Sequence, residues 1–141
     1  MSAFLSRHAA VVGDDVVNQL QQLSRPLRGK SVVHINSTSA GGGVAEILSQ
    51  LVPFQRELGI DARWEVLSGD DAFYNCTKRF HNALQGMPVD VAPRLLKGYE
   101  ENNLANAERL APLLRDADFV FVHDPQPAAL ITHTPTRTGK W

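Results

Sequence analysis

Three successive glycines, Gly41, Gly42 and Gly43, stand between an apolar run and a helical pattern, and they are the residues best placed to do chemistry. Without Cβ atoms the backbone can take φ > 0, and a ligand can come within contact distance of the main chain. The first N–H groups of a helix running on from Val44 would point at whatever sits above this turn. A helix N-terminus carries roughly half a positive charge, so the arrangement suits a phosphate or a sugar. The plainer alternative is a tight turn that needs only room. Two nucleotide-binding motifs are excluded. The third glycine of G-x-G-x-x-G would fall at Glu46, and Gly29-Lys30-Ser31 precedes a strand where a P-loop would open a helix.

The elements around the glycines follow from periodicity. Residues 31–35 form a short apolar run with Val32 and Val33, bounded by Gly29, and read as a strand. Val44, Ile47, Leu48, Leu51 and Leu58 recur at helical spacing up to Gly59, with a kink expected at Pro53. Residues 60–67 predict a second strand with Ile60, Trp64 and Val66 on one face. Residues 31–67 are therefore expected to form a βαβ unit with parallel strands and a right-handed crossover.

Asp70 and Asp71 open the next helix, with Phe73, Thr77, Phe80 and Leu84 as its inward stripe beside Cys76 and Ala83. Tyr74, Lys78, His81 and Gln85 make its polar face. A short strand is expected at 87–92, and a helix at 99–114 with Leu104, Ala107, Leu110, Ala111 and Leu114 inward, shortened by Pro112. Residues 118–123 read as a buried parallel strand, followed by a short helix at 125–131. Ahead of all this, residues 9–23 predict an amphipathic helix with Val12, Val16, Leu20 and Leu23 on one side, weakened by Gly13. The division expected is residues 1–28 as N-terminal helix and linker, 29–132 as a Rossmann-like domain, and 133–141 as an irregular tail.

In open α/β sheets ligands bind at the carboxyl ends of the strands. That rule collects Asn36, Ser37 and the three glycines after the first strand, and His123 and Asp124 after the last. His123 there has two readings, a strand-capping imidazole or a sugar contact. Asp124, before Pro125, has two as well, a helix N-cap or a hydroxyl ligand.

Composition narrows the class. The chain has 141 residues, 43% hydrophobic and 21% charged, with a formal charge of −1, so it lacks the basic face that nucleic-acid binding needs. No apolar run is long enough for a membrane span. The single cysteine, Cys76, reads as a small buried filler and fits a reducing, cytoplasmic compartment.

Three separated stretches carry a family resemblance: His34-Ile35-Asn36-Ser37-Thr38 with Gly41-Gly42-Gly43-Val44-Ala45-Glu46, then residues 77–86 (Thr77-Lys78-Arg79-Phe80-His81-Asn82-Ala83-Leu84-Gln85-Gly86), then Val122-His123-Asp124-Pro125-Gln126-Pro127. In this order they resemble the trehalose synthase (glycosyltransferring) and retaining trehalose phosphorylase group of GT-B glycosyltransferases, over residues 29–130. The resemblance implies an α/β, Rossmann-like parallel sheet with helices on both faces, forming an incomplete N-terminal domain of a GT-B fold. It implies a retaining transfer that forms trehalose from nucleoside-diphosphate glucose and glucose, with no metal and no cofactor beyond the substrate. Phosphorolysis of trehalose is the neighbouring alternative, and a stand-alone, self-associating binding module without catalysis is a third.

By the same resemblance Gly41, Gly42, Gly43 and Val44 approach the donor, His123 and Asp124 form the catalytic pair, and His81, Asn82 and Asn36 meet the acceptor glucose. The partners implied are glucose, nucleotide glucose and trehalose, with neither nucleic acid nor membrane. A cut-short sheet would expose an edge and apolar helix faces, so a homo-oligomer is expected. In the family the groups that grip the diphosphate lie in a second domain. The 141-residue chain alone is therefore expected to bind glucose weakly and not to turn over.

Overall fold

A computed structural model describes residues 2–141. Two helices come first, α1 (Ala3–Val12) and α2 (Asp14–Ser24), where the sequence predicts one. Gly13, at φ 89°, breaks them apart; the Ser2 hydroxyl caps α1 by accepting from Leu5 N, whereas α2 has no side-chain cap and sets Asp14 and Asp15 at its positive end. The break changes the buried face. Leu5 and Val17 pack on Leu58 and Phe54, while Val12, Val16, Leu20 and Leu23 face solvent.

The βαβ unit forms as predicted, as β1 (Ser31–Asn36), α3 (Gly43–Glu57) and β2 (Asp61–Val66). The strands pair in parallel from Ser31 with Asp61 to Asn36 with Val66. The inward stripe of α3 is Ala45, Leu48 and Val52, whereas Ile47 lies outside it at 62% exposure. Next comes α4 (Asp71–Leu84), whose first turn is capped by Asp70 Oδ1 accepting from Phe73 N at 2.8 Å. Phe73, Cys76 and Thr77 are buried, but Leu84 is 77% exposed because the last turn runs off the core. The strand expected at 87–92 does not form. Both sides of β1 are already taken, Pro88 has no N–H to offer a ladder, and Arg79 Nη1 donates to Asp90 O to hold the segment as a loop.

A long α5 (Pro93–Asp116) follows, with proline at its first position and Pro112 accommodated without ending it. Its buried stripe is Tyr99, Asn103, Asn106, Ala107, Leu110 and Leu114, and Leu104 points outward. The two asparagines belong to the stripe because they hold loops. Asn106 Nδ2 donates to Ser68 O and its Oδ1 accepts from Ser68 N, while Asn103 Nδ2 donates to Gln126 O. Last comes β3 (Phe119–Val122), parallel to β1 on its other side, giving the order β2-β1-β3. It is an edge strand, not the doubly buried one expected, and Phe121 is half exposed. A 3-10 turn (Ala128–Ile131) stands where a short helix was predicted, and within the tail Lys140 forms a lone parallel bridge to Phe119.

Helices cover both faces of the sheet. Val33, Ile35 and Val120 pack with Phe73, Leu110, Leu114 and Leu130 on one side, and Val32 and Ala62 pack with Leu48 and Val52 on the other. Cys76 is a buried free thiol in the first cluster, its pKa pushed up by burial, which makes it inert filler. At the amino end of the sheet Asp118 ties two strands together, accepting from Lys30 Nζ at 2.8 Å and from Ser31 N at 2.9 Å. Among the described residues no helix is long and apolar enough to cross a membrane.

Candidate functional site

At the carboxyl end of β1 the chain turns through residues 37–40 into the glycines. Asn36 anchors that turn from inside: it is 1% exposed, its Nδ2 donates to Thr38 O at 2.7 Å, and its Oδ1 accepts from Trp64 Nε1 at 2.7 Å. Tyr74 adds a hydroxyl donated to Ser37 O at 3.0 Å, and Thr38 Oγ1 donates to Ala40 O. Asn36, expected at the acceptor, thus has both amide atoms engaged within the protein.

Gly41 (φ 75°) and Gly42 (φ 88°) then take the left-handed backbone that only glycine adopts freely. Gly42 opens α3 without any side-chain cap, and the first helical bond is Glu46 N to Gly42 O. The amides of Gly43, Val44 and Ala45 have no acceptor among the described residues. Of the three, Ala45 lines a shallow depression of about 340 Å³, together with Ser39, Gly41, Gly42, Glu46 and Ser49. Gly43 itself has no positive φ, and a Cβ built on it would meet nothing within 4 Å. Nothing in the protein requires a glycine there.

A second depression of about 320 Å³ lies across residues 37–40, between the tip of β1, α4 and the end of β3. Ser37, Tyr74, Lys78, His81, Asp124 and Gln126 line it. Asp124 is the one non-glycine at positive φ (68°) among the described residues, a conformation that costs energy and clusters at functional sites. It caps no helix, since the 3-10 turn beyond it starts at Ala128 with Pro127 ahead of it. The buried Tyr99 hydroxyl fixes the following segment by donating to Pro125 O and accepting from Ala129 N. His81 sits at the rim with its Nε2 accepting from Gln85 Nε2. Asn82, the next residue, is half-buried and does not line the depression. Tyr74 and Lys78 do, although the sequence alone gave no reason to separate Lys78 from a solvated surface cation. Their spacing with His81 on one helix face was the available signal.

His123 follows β3, with its backbone N donating to Ile35 O at 2.9 Å. Its Nε2 lies 3.0 Å from Nδ1 of His34, which is 2% exposed on the central strand, and His34 Nε2 lies 2.8 Å from Gln55 Oε1 of α3. Burial holds both imidazoles below the ordinary histidine range; the Gln55 bond pulls His34 back up a little, and the Asp124 charge does the same for His123. His123 lines neither depression, and residues 37–40 stand between the glycine turn and the pocket holding Asp124 and His81. His34 and Gln55 are the partners that sequence reasoning missed.

Residues 34–141 match the family model described as the N-terminal domain of trehalose synthase. The chain is 48% identical over 128 residues to a trehalose synthase of Thermococcus litoralis, covering 90% of this chain and 31% of that protein. It is 46% identical over 124 residues to a trehalose synthase of Rubrobacter xylanophilus, with 88% and 30% covered. A trehalose phosphorylase of Grifola frondosa is 32% identical over 140 residues, with 90% and 19% covered. The chain spans less than a third of the length of these curated relatives. Its three parallel strands with helices on both faces agree with a Rossmann-like N-terminal part of a GT-B glycosyltransferase. The match runs from His34 through both depressions to the last residue, and on that ground the chain belongs to the family of trehalose synthase N-terminal domains.

Proposed function

We propose that the chain is the acceptor-side part of a retaining glucosyltransferase that forms trehalose from nucleoside-diphosphate glucose and glucose. The observation that carries this reading is Gly43, a glycine demanded by neither φ nor packing, set before three amides without acceptors. Such a position suits a ligand that approaches the main chain closely. The Gly41–Gly43 turn and Val44 then face the donor, and His123 contacts its sugar. Asp124 and His81 take hydroxyls of the acceptor glucose, with Tyr74 and Lys78 beside them and Asn82 behind. Asn36 acts through the shape of the 37–40 turn. The reaction uses no metal.

Among the described residues no lysine or arginine lines the glycine depression. A diphosphate leaving group finds no counter-charge there, so the chain by itself does not turn over, and with only shallow depressions to offer it binds glucose weakly. Titration of the labelled chain with glucose, read by amide shifts, tests the binding; shifts confined to regions away from residues 37–43 and 78–124 sink it. Efficient trehalose formation by the chain alone would refute the second statement. The phosphorylase reading, supported by the 32% identity to the Grifola frondosa protein, is separated by product analysis on the longer protein, with phosphate set against nucleoside diphosphate. Exposed Val11, Val12, Val16 and Leu23 on α1 and α2 support self-association, and light scattering checks it. The single free thiol supports a reducing, cytoplasmic setting.

A further inference from the structure

His34 is the one ionisable side chain in the strand Ser31–Asn36, and the fold buries it on the face that packs against α3. A buried imidazole has two ring nitrogens to satisfy, one donating and one accepting when neutral. His34 satisfies both with side chains from distant parts of the chain. Its Nε2 is 2.8 Å from the Gln55 amide oxygen, which accepts only, so Nε2 carries the hydrogen. Its Nδ1 is then a bare lone pair, and the ring 3.0 Å away must donate to it.

The donor is His123 Nε2–H. The two ring centroids are 5.3 Å apart with planes 23° from parallel, the geometry of an in-plane bond from ring edge to ring edge and not of face-to-face stacking. Phe121 covers the His34 ring at 4.9 Å and 15°, which fixes its plane. With its hydrogen at Nε2, the neutral His123 ring is left bare at Nδ1. That nitrogen has no hydrogen-bond partner among the described residues, and it is not among the buried unpartnered atoms, so it is open to solvent.

We propose that Gln55 and His34 are positioning residues that fix the tautomer of His123. Its outward Nδ1 therefore accepts a hydrogen bond from a sugar hydroxyl and rejects a carboxylate at the same place. The relay is a property of the chain itself; the choice of sugar rests on the function proposed above. A hydroxyl supplies the hydrogen that the lone pair lacks. A uronic acid would set its carboxylate against that lone pair with no hydrogen between them. Burial keeps both rings neutral at ordinary pH, so the lone pair is in place when the ligand arrives.

The test is nitrogen NMR of the histidine-labelled chain, in which long-range proton–nitrogen spectra separate the two neutral tautomers. Above both imidazole titrations, His34 and His123 are each expected as the Nε2–H form. Gln55→Met removes the acceptor with little change of volume and should let His123 show a mixture of tautomers. Gln55→Glu, an acceptor like the native amide oxygen, should restore the single Nε2–H form and also shows that position 55 can change without unfolding the chain. Observation of Nδ1–H on wild-type His123, or an unchanged spectrum in Gln55→Met, overturns the relay. Titration with a nucleoside-diphosphate glucose, the donor whose sugar His123 is proposed to contact, should then move the His123 Nδ1 signal, and the corresponding nucleoside-diphosphate glucuronate should leave it still. An intact relay that responds to neither sugar overturns the sugar assignment while leaving the tautomer result standing.

Discussion

Alanine at Gly42 and alanine at Gly43 are expected to change stability in opposite directions, although the two residues are neighbours. Gly42 has φ 88° and ψ 152°, a region almost closed to residues with a Cβ. Gly42→Ala should therefore cost about 1–3 kcal/mol, which lowers Tm by roughly 4–12 °C for a domain of this size. Gly43 is the first residue of α3, without positive φ and with open space where its Cβ would go. Gly43→Ala should leave the fold intact or gain about 0.4–1 kcal/mol by restricting the unfolded chain. Its methyl group, however, adds bulk at the first of the three amides without acceptors. A ligand that loses one hydrogen bond made by its charged group gives up about 1.5–3 kcal/mol, roughly ten- to hundredfold in affinity. Urea unfolding followed by Trp64 fluorescence gives the stabilities, and titration of the longer protein with a nucleoside-diphosphate glucose gives the affinities. If Gly43→Ala binds as tightly as the parent, or is destabilised as much as Gly42→Ala, the ligand argument for the third glycine is wrong.

Trp64→Phe removes the donor to Asn36 Oδ1, a group with 1% exposure, and should cost about 1–3 kcal/mol in urea unfolding. Asp124→Gly relieves a backbone held at φ 68°, so stability should hold or rise by up to about 1 kcal/mol while glucose shifts at His81 weaken; a clear loss of stability contradicts the strain. His34 and His123 both titrate below their ordinary value of 6.5 in the folded chain, so between those folded values and 6.5 the unfolded chain holds more protons. Unfolding free energy should therefore be full above that window and fall as pH drops through it, with a flatter profile in His34→Gln. Asp116 and Asp118, lowered by Arg115 and Lys30 respectively, act only below 3.8 and leave this window clear.

The strand, glycine turn and helix at residues 31–57 were legible because the signal is local: a β-branched run, three glycines, then apolar residues at helical spacing. The Asp70 cap of α4 was legible for the same reason. Faces were harder. Val12 to Leu23 fit one helix, but the turn at Gly13 hands the buried role to Leu5 and Val17, and phase alone does not reveal a bend. The polar half of the α5 stripe was hidden because Asn103 and Asn106 are buried to bind loop backbone, which no hydrophobic pattern records. Residues 118–123 read as buried on both sides, while nothing in four apolar residues tells an edge strand from a central one. The separation of the two depressions, and the link from Gln55 through His34 to His123, depend on residues 21 and 89 positions apart, beyond the reach of any local motif.

The Asp118 carboxylate, which holds Lys30 and the start of β1, lies at the opposite end of the sheet from both depressions. Six residues of strand span about 20 Å, so the far tip behaves like the end of a lever. A rotation of about 3° at the pinned end swings the tip by roughly 1 Å, and a misplacement of that size can slow a positioned reaction about a hundredfold. An exposed ion pair that adds little to thermodynamic stability can in this way govern how true the distant loops are aimed.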